Sequence, residues 1–176
     1  PATITVACAG DVPAMISLTA NDNCAGEITA QGVDATTPGN CPNSFTVTRT
    51  WTFTDACNNS SSVSQTITVV DDQAPVTPEA PASITATCTG EVPAMISLTA
   101  VDNCSGAITV QGVDSIVQGN CPNSFTITRT WTFTDACNNT SSVSQTIAVG
   151  DTIAPTFNES IPANTTASCD TIPEPA

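Results

Sequence analysis

The side chains with chemistry to offer are nine cysteines, two arginines and the aspartates, in a chain with no histidine and no lysine. The cysteines stand at 8, 24, 41 and 57, again at 88, 104, 121 and 137, and once more at 169. Structural zinc sites bring thiolates in close C-x-x-C pairs, usually with histidine. Here neighbouring cysteines of a set are 16 or 17 residues apart, which points to disulfides and an oxidising compartment. Without histidine or lysine there is no ordinary acid–base relay and no Schiff base. An internal Lys–Asn isopeptide bond is excluded for the same reason. Asp22 and Asp55 imitate a carboxylate pair, but no pocket-forming sequence surrounds them, and they read as solvated loop-end aspartates. The chain is expected not to be an enzyme.

The elements that must hold these residues are repeated. Cys8, Cys24, Cys41 and Cys57 recur 80 residues on, "VPAMISLTA" and "TRTWTFTDACNN" recur unchanged, and "PANTTASC" opens a third copy containing Cys169. The expected units are residues 1–80, 81–161 and a truncated 162–176. Cys169 is unpaired in this fragment, and its partner is expected beyond Ala176. No start methionine or signal peptide is visible, so the chain reads as a piece of something longer. The junctions "VDDQAPVTPEAP" and "GDTIAPTFNESIP" carry prolines that favour an extended, semi-rigid backbone. The formal charge is -14, with 16 acidic residues against two arginines. Nucleic acid is therefore an unsuitable partner, and an anionic membrane surface would repel the chain. A divalent cation or a neutral glycan is electrostatically permitted. No apolar run approaches the roughly 18 residues of a membrane span.

Alternation of period two dominates the chain. Ile4, Val6 and Cys8 mark a first strand. Ile16, Leu18 and Ala20 mark a second, and Ile28, Ala30 and Gly32 a third. Residues 44–55 form a long fourth strand, and Val63, Ile67 and Val69 a fifth. Turn-rich stretches separate them, and the Thr, Val and Ile content suits a pleated, half-buried surface. Five short strands in about 80 residues predict an all-β fold, a tandem of immunoglobulin-like antiparallel β-sandwiches.

Strand direction constrains the cysteines. If the first strand runs down, Cys8 and Cys41 lie at the bottom of the unit and Cys24 and Cys57 at the top. Pairing within each unit is then expected as Cys8–Cys41, Cys24–Cys57, Cys88–Cys121 and Cys104–Cys137, with consecutive pairing as the rival. Each such bridge closes about 33 residues, roughly 3–4 kcal/mol in the chain-entropy model. The chain leaves one unit at the bottom and enters the next at the top, so units should stack end to end as a rod.

Arg49 lies in "FTVTRTWTFT", on the face shared by Phe45, Val47, Trp51 and Phe53. Placing Ile28 opposite Phe53 sets Gly32 opposite Arg49 with Asp34 diagonal. An Arg49–Asp34 ion pair is expected, with Arg129–Asp114 as its copy. The functional alternative is an anion-binding arginine. Stacking also brings Asp71 and Asp72, leaving one unit, towards Asp102 and Asp135 at the top of the next, where oxygen ligands from both units would share a Ca²⁺. Asn58, Asn59, Asn138, Asn139, Asn158 and Asn164 fit N-x-[ST].

"TANDNC" followed by "GNCPNSFTVTRTWTFTDACNNSSSVSQTITVVDDQAP" resembles the HYR-like, immunoglobulin-like repeats of very large bacterial surface proteins, gliding-motility adhesins and others exported by the type IX route among them. The resemblance covers both full units and the third fragment. It implies a tandem extracellular stalk or fibre at the cell surface. It also implies O-glycosylation of Asp-[Ser/Thr]-apolar triplets, here at Ser115, Thr152 and Thr171. The first copy departs from that pattern, with "DAT" at Asp34. The expected function is thus a structural repeat of an adhesin or filament, whose partners are neighbouring repeats, other fibre subunits or surface glycans. The alternatives are a glycan- or matrix-binding module and a non-catalytic spacer of a secreted enzyme. Six of the seven aromatics lie on the inward faces of the two long strands, which leaves few exposed rings for sugar binding.

Overall fold

A computed structural model describes residues 2–159. The first unit contains β1 (Ile4–Val6), β2 (Ser17–Asp22), β3 (Gly26–Pro38), β4 (Phe45–Thr54) and β5 (Ser60–Val69). The second contains β6 (Ile84–Ala86), β7 (Ser97–Asp102), β8 (Gly106–Gln111), β9 (Val113–Gln118), β10 (Ser124–Thr134) and β11 (Thr140–Gly150). Curled, mainly antiparallel sheets result, consistent with an immunoglobulin-like sandwich. The pairing is not wholly antiparallel, because β1 runs parallel to β5 and β6 parallel to β11.

The third strand changes partner along its length. Residues 26–31 of β3 pair with β2, and residues 32–38 pair with β4. In the second unit the same path is divided at Gly112 into β8, paired with β7, and β9, paired with β10. One hairpin is thereby folded over the sheet formed by the other strands. The central strand supplies the filling. Trp131 and Phe133 of β10 are buried with Ala100, against Leu98, Ile108, Val110 and Val143. Towards the other end Ile127, Ile147, Val149 and Ala86 form a second cluster. The alternation sorts these residues inward and the threonines outward. Thr50 and Thr130 then make cross-strand hydroxyl contacts with Ser64 and Ser144 at 2.9 and 3.0 Å.

The register between the third and fourth strands differs from the sequence expectation by two residues. Gly32 faces Trp51, and Asp34 faces Arg49 directly. The reason lies at Gly32. A Cβ there would come within 2.5 Å of Met15 Sδ and 3.1 Å of Trp51 Cε2, so the missing side chain leaves room for the indole rather than for the guanidinium alone.

Candidate functional site: the joint between the two units

The cysteines make the first contact between units, and they correct the expected pairing. Cys8 is bonded to Cys104 and Cys41 to Cys137, each across 96 residues of sequence, with Cα–Cα distances of 5.3 and 5.0 Å. The within-unit bridges Cys8–Cys41, Cys24–Cys57, Cys88–Cys121 and Cys104–Cys137 are not formed. Cys24, Cys57, Cys88 and Cys121 are free and exposed. The two cysteines at one end of a unit each meet a partner on the facing end of the next unit instead of meeting each other. Both bridges share one sequence offset because Cys8–Cys24 and Cys41–Cys57 have the same spacing of 16.

Short turns present these thiols. The backbone N–H of Cys8 donates to Asp11 Oδ2 at 3.0 Å, which fixes the entry to a single 3₁₀ turn. Asp102 Oδ1 accepts from the N–H groups of Cys104 and Ser105 at 3.0 and 2.6 Å. Asp135 Oδ1 accepts from those of Cys137 and Asn139, both at 2.8 Å. In that turn Asn138 adopts φ 67°, a left-handed conformation that asparagine tolerates better than most residues.

The same aspartates build the centre of the joint. One carboxylate oxygen from each of Asp71, Asp102 and Asp135 lies within 4.8 Å of the others, and all three residues are buried. Asp71 Oδ2 accepts from Asn43 Nδ2 at 3.3 Å, and Asp135 Oδ2 accepts from Asn139 Nδ2 at 2.7 Å. Asp71 Oδ1 and Asp102 Oδ2 are buried without any hydrogen-bond partner. For Asp135, burial pushes the carboxyl pKa up, but donors from Asn139, Cys137 and Asn138 outweigh it and hold it below the usual value. No arginine reaches the cluster, since both are engaged elsewhere. Buried anions and orphaned oxygens at such separations are costly unless a cation completes them. An all-oxygen donor set of this kind can coordinate a hard metal ion. Asp72, expected among the ligands, is exposed and outside the cluster, because adjacent residues of an extended chain point to opposite sides.

The linker closes the joint. Val76 and Val101 exchange backbone hydrogen bonds of 2.8 and 3.1 Å in an isolated antiparallel bridge. Ser141 Oγ donates to the carbonyl of buried Pro75 at 2.6 Å, and Asn139 Nδ2 to that of Asp71 at 3.1 Å. Asn139 is therefore occupied in the joint and is no free glycan acceptor. Ser115 and Thr152 are exposed, whereas Cys169, Thr171 and Asn164 lie outside the described residues.

The arginines sit away from the joint. Arg49 is 4% exposed, and its Nε and Nη2 donate to Asp34 Oδ1 and Oδ2 at 2.8 and 2.9 Å. Its Nη1 donates to the carbonyls of Pro13 and Ala14, and Trp51 Nε1 donates to that of Ile16. Arg129, Asp114 and Trp131 repeat the arrangement with Pro93, Ala94 and Ile96. The repeated "VPAMI" is thus an irregular segment whose carbonyls are held by the central strand. With its donors on Asp34 or Asp114 and on these carbonyls, each arginine is spent on structure and offers nothing to a free anion.

Fold and joint together define a class: a β module, repeated along one chain and cross-linked to its neighbour through cysteines. The chain belongs to the family of HYR-like domains with 4 cysteines, whose model matches residues 1–69 and again residues 76–149. No curated protein matches the chain. The family is one of non-catalytic structural domains that are typically extracellular. Among the described residues no helix is long and apolar enough to cross a membrane.

Proposed function

We propose that the chain is a segment of the stalk or fibre of an extracellular bacterial adhesin or filament, in which successive units stack end to end and each joint is stiffened by two disulfides and a calcium ion. The observation that carries this reading is the convergence of Cys8–Cys104, Cys41–Cys137 and the buried carboxylates of Asp71, Asp102 and Asp135 on one inter-unit contact. A hinge meant to bend would not bury charge and covalent bonds together at its pivot. Calcium is favoured over other cations because it takes 6–8 oxygen ligands in flexible geometry, and three carboxylates with the nearby amides and water supply that class of donor. Units at residues 1–80 and 81–161, with a third beginning at 162, fit such an array. The surface adhesin setting, with export by the type IX route, rests on the resemblance of the motif.

Scanning calorimetry tests the reading. At about one hundred times its dissociation constant a single calcium adds about 2.7 kcal/mol, or roughly 5–10 °C in a chain of this size. Asp102→Asn is expected to abolish the increment. A melting temperature that is the same in calcium and in chelator would exclude the ion. Small-angle scattering tests the shape: an extended particle is expected, and a pair of units folded side by side would contradict the stalk.

A further inference from the structure

We propose that the two outer ends of the chain are complementary half-joints, each built to be closed covalently by another HYR-like four-cysteine unit. The upper half-joint is Cys24 and Cys57 with Asp22 and Asp55. The lower is Cys88 and Cys121 with Asp151. This rests on the joint reading above and extends it to residues that the joint itself does not use.

Three differences between equivalent residues carry it. Asp102 and Asp135 are buried in the joint, whereas Asp22 and Asp55, their counterparts at the upper end of the first unit, are only half-buried. Asp71 is buried, and its counterpart Asp151 is exposed. Among the described residues, the four cysteines left free are the counterparts of the four that are bonded. Burial at the internal joint therefore comes from the neighbouring unit, and at the outer ends the same surface waits for one.

The surfaces are shaped as well as charged. A cleft at the upper end is lined by Ala20, Asn21, Asp22, Ile28, Phe53 and Asn59, among others. In the second unit the matching region receives the linker, through the Val76–Val101 bridge and the Ser141 bond to Pro75. Beside it a second cleft is lined by Asp22, Cys24, Asp55 and Cys57. At the opposite end Cys88, Asn123 and Asp151 line a cleft equivalent to the position of Cys8, Asn43 and Asp71 in the joint. The segment "DTIAP" at Asp151–Pro155 repeats the D-x-x-A-P of "DDQAP" at Asp71–Pro75. The occupant of each end is thus a unit that presents the opposite end.

The internal joint also fixes which thiols meet. Cys8 and Cys104 correspond to Cys88 and Cys24, and Cys41 and Cys137 to Cys121 and Cys57. Two units joined in this way make the bonds Cys24–Cys88 and Cys57–Cys121. Each bond joins two Sγ atoms as two thiols lose two protons and two electrons. A disulfide oxidant such as glutathione disulfide accepts them and leaves as two thiols.

The experiment uses the 176-residue chain with Cys169→Ser, so that the four outer thiols are the only ones counted. The starting material is first mapped by mass spectrometry for Cys8–Cys104 and Cys41–Cys137. It is then treated at high concentration with glutathione disulfide and mapped again without reduction. The expected result is a ladder of multimers whose linked peptides are Cys24–Cys88 and Cys57–Cys121, at least tenfold over other combinations. Replacing both Cys24 and Cys57 by serine should leave monomer. Closure within one chain as Cys24–Cys57 or Cys88–Cys121, unselective pairing, thiols that stay free, or a ladder that survives the double substitution would each overturn the proposal. Absence of the two internal bridges from the starting material would instead count against the joint itself, so the two failures are distinguishable.

Discussion

Arg49 is one of only two cationic side chains in the sequence. Its guanidinium is almost wholly buried, makes a two-point contact with Asp34, and reaches the carbonyls of Pro13 and Ala14. Replacing it by alanine leaves a carboxylate and two carbonyls without their donor, and about 3 kcal/mol of stability should be lost in urea unfolding. Asp34→Asn keeps the carbonyl contacts and should cost about 1 kcal/mol. The pair also sets an acid limit. Hydrogen bonding to Arg49 holds the Asp34 pKa below its ordinary 3.8, and Arg129 does the same for Asp114. A carboxyl lowered on folding contributes stability that is fully present above its unfolded pKa and lost as pH falls through the folded value. Unfolding free energy should therefore be unaffected by this pair from neutral pH to about 5 and should fall below about 4. A titration in which Asp34→Asn and Asp114→Asn leave the acid limb unchanged would contradict this assignment. The scarcity of cations and the inward alternation made an Arg–Asp pair readable from sequence. The carbonyl acceptors were not readable, because "VPAMI" carries no side-chain signal for the groups that its backbone offers.

At the level of elements, strand identity followed from alternation, and each expected strand has a counterpart within a few residues. Register did not follow, because alternation is satisfied equally by shifts of two residues and only packing around Gly32 decides among them. Gly32→Ala should destabilise the first unit, since the new Cβ would press on Met15, Arg49 and Trp51, and Gly112→Ala should do the same in the second. A loss of about 1–3 kcal/mol is expected in denaturant melts. The linker is the element that sequence described least well. Its prolines indicated an extended path, but nothing in them located Pro75 beneath Ser141 or paired Val76 with Val101. Hydrogen exchange offers a direct check. The Val101 amide donates to Val76 and should exchange slowly, while the equivalent Asn21 amide, at the outer end, should exchange far faster. Equal rates would mean that the linker is not docked.

The whole molecule is governed by the joint. Reading the strand directions placed Cys8 and Cys41 at one end and Cys24 and Cys57 at the other. It could not say whether cysteines that share an end bond to each other or reach across to the next unit, because both partners lie at short range once units stack. The answer changes what the bridges do. Within a unit a disulfide staples a small core. Across the joint it closes a loop of 96 residues and makes two units a single covalent body. In the chain-entropy model a loop of that length is worth about 4–5 kcal/mol for the first bridge, and less for the second that it precedes. Reduction should accordingly leave each unit's strands in place while lowering the temperature at which the joint opens. Both bonds run between units. Peptide mapping of the unreduced chain after proteolysis between the cysteines tests this. Fragments linking Cys8 to Cys104 and Cys41 to Cys137 are the expected result, and fragments linking Cys8 to Cys41 or Cys104 to Cys137 would contradict it.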